Sequence, residues 1–316
     1  MSYTVYADSR KLSHEEWLEH RKTGIGGSDA GAIMGLHPYK GAFGVWADKK
    51  GFSAPVEDSE AMRQGRDLED YVARRFAEAT GKTVRREYGM LRSDEHPHMV
   101  ANIDRRIKGE KAGLECKTSR DIYMRRYRDG DFPMEYYCQC LHYMAVTGWD
   151  AWYLAVLVYG TELLIFKICR EEAQGDIDKL IAAEESFWEK YVEGSEMPPA
   201  DALDSTGRTL DRMWKSEMEY WLDATAEQED AIGELIALKA QKKALEEEIK
   251  RIENGLKAGM QEAEELRAAE AIITWKSQKQ RRISEKRIKE LYPMVDMDKV
   301  RDEVEMRRFC VRTEEE

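Results

Sequence analysis

Two hydrophobic rhythms divide the chain. Where apolar residues return every three or four positions, a helix turns one face to a core; where they alternate, or run unbroken over fewer than ten residues, a strand is indicated. Residues 9–22 carry Ser13-His14-Glu15-Glu16, a capping-box pattern, ahead of Trp17 and Leu18, so a short helix ending near Lys22 is expected. Gly24, Gly26 and Gly27 read as a flexible loop, with Ser28 as N-cap of a helix over 29–34 that Gly35 ends. His37-Pro38-Tyr39 is a turn, and Phe43, Val45 and Trp46 lead a further short helix that stops at Lys50-Gly51. Beyond the polar linker 52–60, Leu68, Val72, Phe76 and Ala79 make one face of a helix over 61–80, capped by Gly81.

The next stretch reads as strands. Residues 83–88 are strand-like, and 100–107 and 114–118 form a hairpin around Gly109-Glu110-Lys111-Ala112-Gly113. Residues 121–129 are basic with two tyrosines, and 134–147 form a helix ending at Gly148. The apolar run 151–159 reads as a buried strand, paired with 163–168 across a turn at Gly160, and 171–193 are helical. Met197-Pro198-Pro199 marks a boundary between a first domain, 1–199, and a C-terminal extension, 200–316. In the extension a long helix covers 226–264. Its Leu235, Leu238, Leu245, Ile249, Ile252 and Leu256 keep three-four spacing, interrupted by Lys242. That stripe is expected to pack on a neighbouring helix of the same chain, with a coiled-coil contact as the alternative. A strand at 271–276, the basic segment KSQKQRRISEKRIKE and a last strand near 307–312 follow. The class is α/β, with a helical plus β-hairpin extension.

Composition narrows the setting. The 316 residues are 42% hydrophobic and 35% charged, enough for a core under a polar surface. No apolar run approaches membrane-span length, and the opening MSYTVYADSRKLSHEEW has no apolar signal region, which argues for the cytoplasm. Five cysteines with no C-x-x-C pair argue against a disulfide framework and a structural zinc site, and read as reduced thiols. The net charge of −12 has the wrong sign for binding nucleic acid by bulk electrostatics, so any such contact needs a local basic surface.

The chemistry concentrates on the hairpin. Side chains alternate along a strand, so Glu115 and Lys117 share a face while Cys116 points away, and a closed hairpin brings Asp104 alongside Glu115. Two carboxylates and an ammonium together are costly unless a divalent cation sits between the acids. Mg²⁺ takes oxygen ligands, which Asp104, Glu115 and the backbone carbonyl of Cys116 offer, and Lys117 would orient water or meet charge developing on a phosphate. The plain alternative is the solvated face of an edge hairpin, since D-x(10)-E-x-K occurs in many unrelated proteins. Glu69 lies beside the apolar face of the helix over 61–80 and can reach the same cluster; otherwise it is an exposed acid next to Asp67 and Asp70. Arg21 with the loop to Ser28 offers an anion site of backbone N–H groups, a hydroxyl and a guanidinium, or else a capped turn. No G-K-[ST] follows, so it is not a P-loop. Gln139 could hydrogen-bond a catalytic lysine or water, and His142 lies on a nearby face; either is ordinarily structural. His96 and His98 flank Pro97 and stay unassigned. There is no G-x-S-x-G elbow and no cysteine in an activating setting.

Taken in order, R-x(2)-GIGGSDAGAIMG-x-HPY, GRDLED, D-x(10)-ECK and a helix with Q-x(2)-H and TG resemble the YqaJ-like viral recombinase family. That family includes lambda exonuclease and belongs to the PD-(D/E)xK nuclease superfamily. The resemblance covers about residues 9–195. It implies a restriction-endonuclease-like core, a central mixed sheet flanked by helices, and Mg²⁺-dependent digestion of double-stranded DNA from its 5′ ends, with Mn²⁺ as substitute. It implies Asp104, Glu115 and Lys117 as the catalytic trio, Glu69 and Gln139 as supporting residues, and Arg21 and Ser28 as the holders of a 5′ phosphate. It further implies a ring-shaped homotrimer, a RecT-like single-strand annealing partner, and a phage or prophage origin in a bacterial host. Ile103 stands where the superfamily has Pro before the Asp, and the extension after Pro199 exceeds a minimal nuclease core. The alternatives are an endonuclease or a repair or defence nuclease on the same core, or a non-enzymatic DNA-end scaffold. Iron–sulfur members need a cysteine cluster that is absent here.

Overall fold

The structure is a computed structural model that describes residues 2–53, 58–120, 127, 131–159, 162–214, 221–302 and 309–311. It divides into two compact units, residues 1–214 and 215–316. In chain order the first holds β1 (Tyr3–Asp8), α1 (His14–Lys22), α2 (Gly27–Ile33), α3 (Ala42–Lys50), α4 (Glu60–Thr80), β2 (Val84–Arg86), β3 (Gly89–Ser93) and β4 (Val100–Ala101). It continues with β5 (Arg105–Ile107), β6 (Ala112–Ser119), α5 (Met134–Thr147), β7 (Ala151–Val158), β8 (Leu163–Cys169), α6 (Arg170–Phe187) and α7 (Asp204–Met213).

The main sheet has the order β2-β5-β6-β7-β8. Its pairs are antiparallel except β6 with β7, which run parallel with Glu115 opposite Leu154 and Lys117 opposite Val156. Parallel neighbours need a crossover connection. Here α5 lies on that connection, and it packs on the sheet. One sheet face holds Leu114, Tyr153 and Ala155 against Val72 and Phe76 of α4. The other holds Trp152, Leu154 and Val156 against Cys140 and Met144 of α5 and Ile177 and Leu180 of α6. Alternation along β6 therefore sends Leu114 toward α4 and Glu115 and Lys117 toward α5. The hairpin is not at a sheet edge: β6 is the central strand. Gly113 is required there, because a Cβ would lie 2.3 Å from the Trp152 ring.

The expected first strand of the hairpin is broken in two. Val100 and Ala101 belong to a second sheet, β1-β3-β4, and only Arg105–Ile107 pairs with β6. Asp104 sits where the chain passes from one sheet to the other. The N-cap of α2 is Gly26 rather than Ser28, because Asp29 reaches back to accept the Gly26 N–H at 3.2 Å. The glycine loop before it is strapped down rather than loose. The Ile25 N–H donates to the His98 carbonyl at 2.7 Å, and the Val100 N–H donates to the Ile25 carbonyl at 2.8 Å. By contrast α1 has the anticipated capping box on Ser13 and Glu16, and α3, α4 and α5 end on left-handed Gly51, Gly81 and Gly148. The segment 121–129 lies outside the described residues apart from Tyr127, as does the turn at Gly160.

The second unit carries α8 (Ala226–Met260), the antiparallel hairpin of β9 (Glu265–Arg267) with β10 (Ile272–Thr274), and α9 (Glu285–Leu291). A capping box on Thr225 and Gln228 starts α8, whose 35 residues span about 52 Å at the helical rise. Among the described residues of this unit its apolar stripe is not buried against a helix as expected: Leu238, Leu245, Ile249 and Ile252 are 53–60% exposed. The strand expected near 307–312 falls largely outside the described residues.

Candidate active site

The sheet crossing at Asp104 builds the site. Its Oδ2 accepts the Cys116 N–H at 2.8 Å, which ties the bend after β4 to the middle of β6. The group of Cys116 engaged at this point is thus its N–H. Glu115 is nearly fully buried. Its Oε1 receives the Lys117 ammonium at 2.7 Å and the Gln139 amide, also at 2.7 Å. Gln139 Nε2 additionally donates to the Tyr143 hydroxyl, one helical turn along α5, at 2.8 Å. Asp104, Glu115, Lys117 and Gln139 are therefore brought together by three elements.

The second oxygen of Glu115 decides what the cluster is prepared for. Oε2 is buried and among the described residues has no hydrogen-bond partner, a position that costs roughly 1–3 kcal/mol or more when nothing answers it. Burial and the charges of Glu115 and Glu69 push the Asp104 carboxyl well above the usual carboxylate range. Burial also raises Glu115, against the opposing pull of Lys117. Burial works against charge on Lys117, but Glu115 and Asp104 outweigh it and raise its pKa. The site is short of positive charge beside two carboxylates. That is the environment a divalent cation with hard oxygen preference fits, with Asp104 and Glu115 Oε2 as donors.

Glu69 is turned elsewhere. Its Oε1 receives Arg105 Nη1 at 2.5 Å and Arg86 Nη2 at 3.0 Å, and both guanidiniums also contact Asp70. Among the described residues no three His, Cys, Asp or Glu side chains close into a ready metal cage. A cleft of about 310 Å³ opens here, lined by Glu69, Asp104, Arg105, Arg86, Asn102 and Trp17.

Arg21 and Ser28 do meet. Arg21 Nη2 donates to Ser28 Oγ at 2.7 Å, and the guanidinium lies 4.9 Å from the Trp17 ring centroid. Behind them Lys49 donates to the Arg21 carbonyl at 3.0 Å and to Asp29 at 2.7 Å, while Lys40 reaches Asp29 at 3.0 Å. Gly27 couples this loop to the trio: a Cβ there would strike the Tyr143 ring at 2.6 Å and Gln139 Cγ at 3.1 Å. His142 is fully buried, bonded to Glu184 and to the Val100 carbonyl, each at 2.9 Å, so it ties α5 to α6 and β4 rather than facing the site.

Sequence reasoning missed Arg105, Tyr143 and the Asp29–Lys49 pair. Tyr143 was within reach of it, since it stands at i+4 from Gln139 on one helix face. Arg105 carried no local signal, because its partner Glu69 is 36 residues away.

Comparison with known proteins gives the lineage. The first unit is a mixed sheet flanked by helices, with Glu115 and Lys117 on its central strand and Asp104 held beside it, the α/β arrangement that the family resemblance implies. The YqaJ-like viral recombinase domain matches residues 16–150. A relative described as uncharacterized protein YqaJ, from Bacillus subtilis (strain 168), is 36% identical over 313 residues, spanning 98% of this chain and 97% of its own. The chain belongs to the YqaJ-like viral recombinase family. Among solved structures, an alkaline exonuclease from Laribacter hongkongensis aligns at 19% identity and a TM-score of 0.45, over 57% of this chain and 94% of that one. A phage related exonuclease from Haemophilus somnus 129PT aligns at 14% identity and a TM-score of 0.38, over 54% and 95%.

Proposed function

We propose that the chain is a metal-dependent deoxyribonuclease, a 5′→3′ exonuclease on linear double-stranded DNA that works in phage-type recombination. The observation that carries this is Glu115: one oxygen is held by Lys117 and Gln139, while the other is buried next to Asp104 and unanswered among the described residues. A bound Mg²⁺, or Mn²⁺ in its place, would polarise the scissile phosphate and lower the pKa of water. Asp104 and Glu115 would hold it, with the Cys116 carbonyl as a further oxygen, and with Glu69 if its carboxylate leaves Arg105 and Arg86. Lys117 stays charged at the bond to be cut, where an ammonium can orient water and offset charge on phosphate. Gln139 fixes the rotamer of Glu115. Arg21 Nη2 and Ser28 Oγ already converge, so a 5′ phosphate oxygen would replace the hydrogen bond between them with two of its own.

Family membership supports the recombination setting, with a RecT-like annealing protein as partner, a homotrimer as the assembly, and the cytoplasm of a bacterial host carrying the phage or prophage as the compartment. Among the described residues no helix is long and apolar enough to cross a membrane. The test is digestion of linear duplexes with and without a 5′ phosphate, in Mg²⁺ and in EDTA. Fast digestion of the phosphorylated ends in Mg²⁺ alone is expected. Equal cutting of closed circular DNA would sink the exonuclease mode.

A further inference from the structure

The catalytic unit leaves a question of charge. Around the cleft most cations of the described residues are matched: Arg86 and Arg105 to Glu69 and Asp70, Lys117 to Glu115, Lys40 and Lys49 to Asp29, while Arg21 meets only the neutral Ser28. A chain of net charge −12 needs positive surface somewhere if it is to hold a polyanion.

The second unit has it. Seven of the fifteen residues 276–290 are Lys or Arg, against two Glu. Lys276, Lys279, Arg281, Arg282, Lys286, Arg287 and Lys289 are all exposed. Among the described residues none of them forms an ion pair; Glu285 is taken by Arg301 at 2.6 Å, and Arg282 Nε reaches only the neutral Gln280. β10 ends at Thr274, and the tract begins directly after Trp275, whose N–H is anchored on the Glu264 carbonyl at 2.9 Å and whose ring is half exposed. Residues 275–284 have no regular structure, and α9 then carries the last three cations over two turns.

The distribution selects the ligand. A small anion is gripped by donors that converge on one point. These cations are strung along a backbone whose first nine residues reach up to roughly 30 Å if extended, which suits a linear polyanion. Ser277, Gln278, Gln280 and Ser284 interleave them with hydrogen-bonding side chains, and Ile283 is the one large apolar side chain exposed among them. The seven-residue α9 is too short for the interfacial helix that a membrane surface would call for. Exposed Trp275 adds a face on which a base can stack.

We propose that residues 275–289 are a second DNA-binding element, outside the catalytic cleft, which grips the phosphodiester backbone without reading its sequence. The choice of DNA among linear polyanions rests on the recombinase family and the nuclease reading; the contact itself does not need catalysis. Its ligand is either the single strand that digestion leaves or the duplex still to be digested.

The test is binding of the full-length protein to a 5′-phosphorylated duplex and to a single strand of the same length, in EDTA, across a series of salt concentrations. The variant carries Lys279→Ala, Arg281→Ala, Arg282→Ala and Arg287→Ala. Each lost phosphate contact flattens the log–log salt dependence by roughly 0.7 on single strands or 0.9 on duplex, so a slope shallower by about 3 is expected on the form engaged. At low salt, affinity for that form should fall at least tenfold. A larger effect on the single strand assigns the tract to the product, and a larger effect on the duplex assigns it to the substrate. Unchanged slope and affinity on both DNAs overturn the proposal, and a loss seen only on vesicles of anionic phospholipid, measured beside the DNAs, does the same. Because nothing is cut in EDTA, failure here is distinct from failure of the nuclease reading, which the digestion assay decides.

Discussion

At the scale of single residues the site is a set of unequal commitments. Lys117 and Glu115 are bound to each other and to the proposed chemistry, so Lys117→Ala should cut DNA digestion about 10²–10³-fold, the size of losing one aimed charge or donor. Full activity in that variant would remove the site assignment. Gln139 acts through Glu115, and Gln139→Ala should lose about 10–100-fold, chiefly as weaker Mg²⁺ dependence, since outer partners orient the inner ones; a Mg²⁺ titration of the rate reads this. Asp29 is different, because its work is structural. Burial raises its pKa, but Lys40 and Lys49 outweigh that and hold it well below the usual carboxylate range. A depressed folded pKa gives stability that is present above the unfolded value and lost as pH falls through the folded one. Asp29→Asn should therefore destabilise the fold by about 3–5 kcal/mol at neutral pH, having left Lys49 buried without its partner. The gap to the wild type should close as the pH falls below the ordinary carboxylate range. Denaturant unfolding at several pH values measures it, and a gap that widens in acid would contradict the assignment. The Glu115–Lys117 face could be read directly, because strand alternation is local. The Arg105–Glu69 and Asp29–Lys49 pairs could not, because they join segments that only folding brings together.

Elements were legible where a strong periodicity met a clear stop. The helix Met134–Thr147 matches its expected bounds, since a run buried on every side from Cys138 to Thr147 ends on Gly148 in the left-handed conformation that glycine tolerates best. The strands Ala151–Val158 and Leu163–Cys169 follow their apolar runs for the same reason. The start of α2 was harder: Ser28 and Asp29 both suit a helix N-terminus, and the side chain that reached back decided it. β1 carries little signal in the sequence, because Tyr3–Asp8 is half-exposed and its pattern is weak; it is a strand through pairing with Gly89–Ser93. The stripe on α8 shows the opposite failure, a clear period whose partner cannot be read from it. Its exposure makes a quantitative contrast. Leu245→Ala, at 60% exposure in a helix, should change stability by no more than about 0.5 kcal/mol. Leu154→Ala, fully buried between α5 and the sheet, should cost about 2–5 kcal/mol. Comparable melting-temperature losses for the two would mean that the stripe is covered in solution.

For the whole molecule, the boundary between units is where sequence and packing part. Met197-Pro198-Pro199 marks a break in the chain, and a domain ending there was the natural reading. The compact unit nevertheless runs to Trp214, because α7 folds back. Leu210 and Met213 join the cluster of Ile25, Phe43, Trp46 and Phe187. Ser205 Oγ donates to the Tyr39 carbonyl at 3.2 Å, and Asp201 lies so near Gly41 that a Cβ there would be 1.9 Å from its carboxylate. The cluster that α7 completes also holds Ile25, in the strapped loop between Arg21 and Ser28. A chain cut after residue 199 thus loses two partly buried apolar side chains, Leu210 and Met213, from the cluster under the loop between Arg21 and Ser28, each worth at most about 1.5–3 kcal/mol. A chain cut after Trp214 keeps that support. The longer fragment should fold cooperatively and digest short 5′-phosphorylated duplexes, while the shorter should melt lower and lose its preference for the phosphorylated end first. Thermal unfolding, with digestion of phosphorylated and unphosphorylated duplexes side by side, separates them. Equal stability and equal end preference in the two fragments would show that α7 is dispensable and that the unit closes at Pro199.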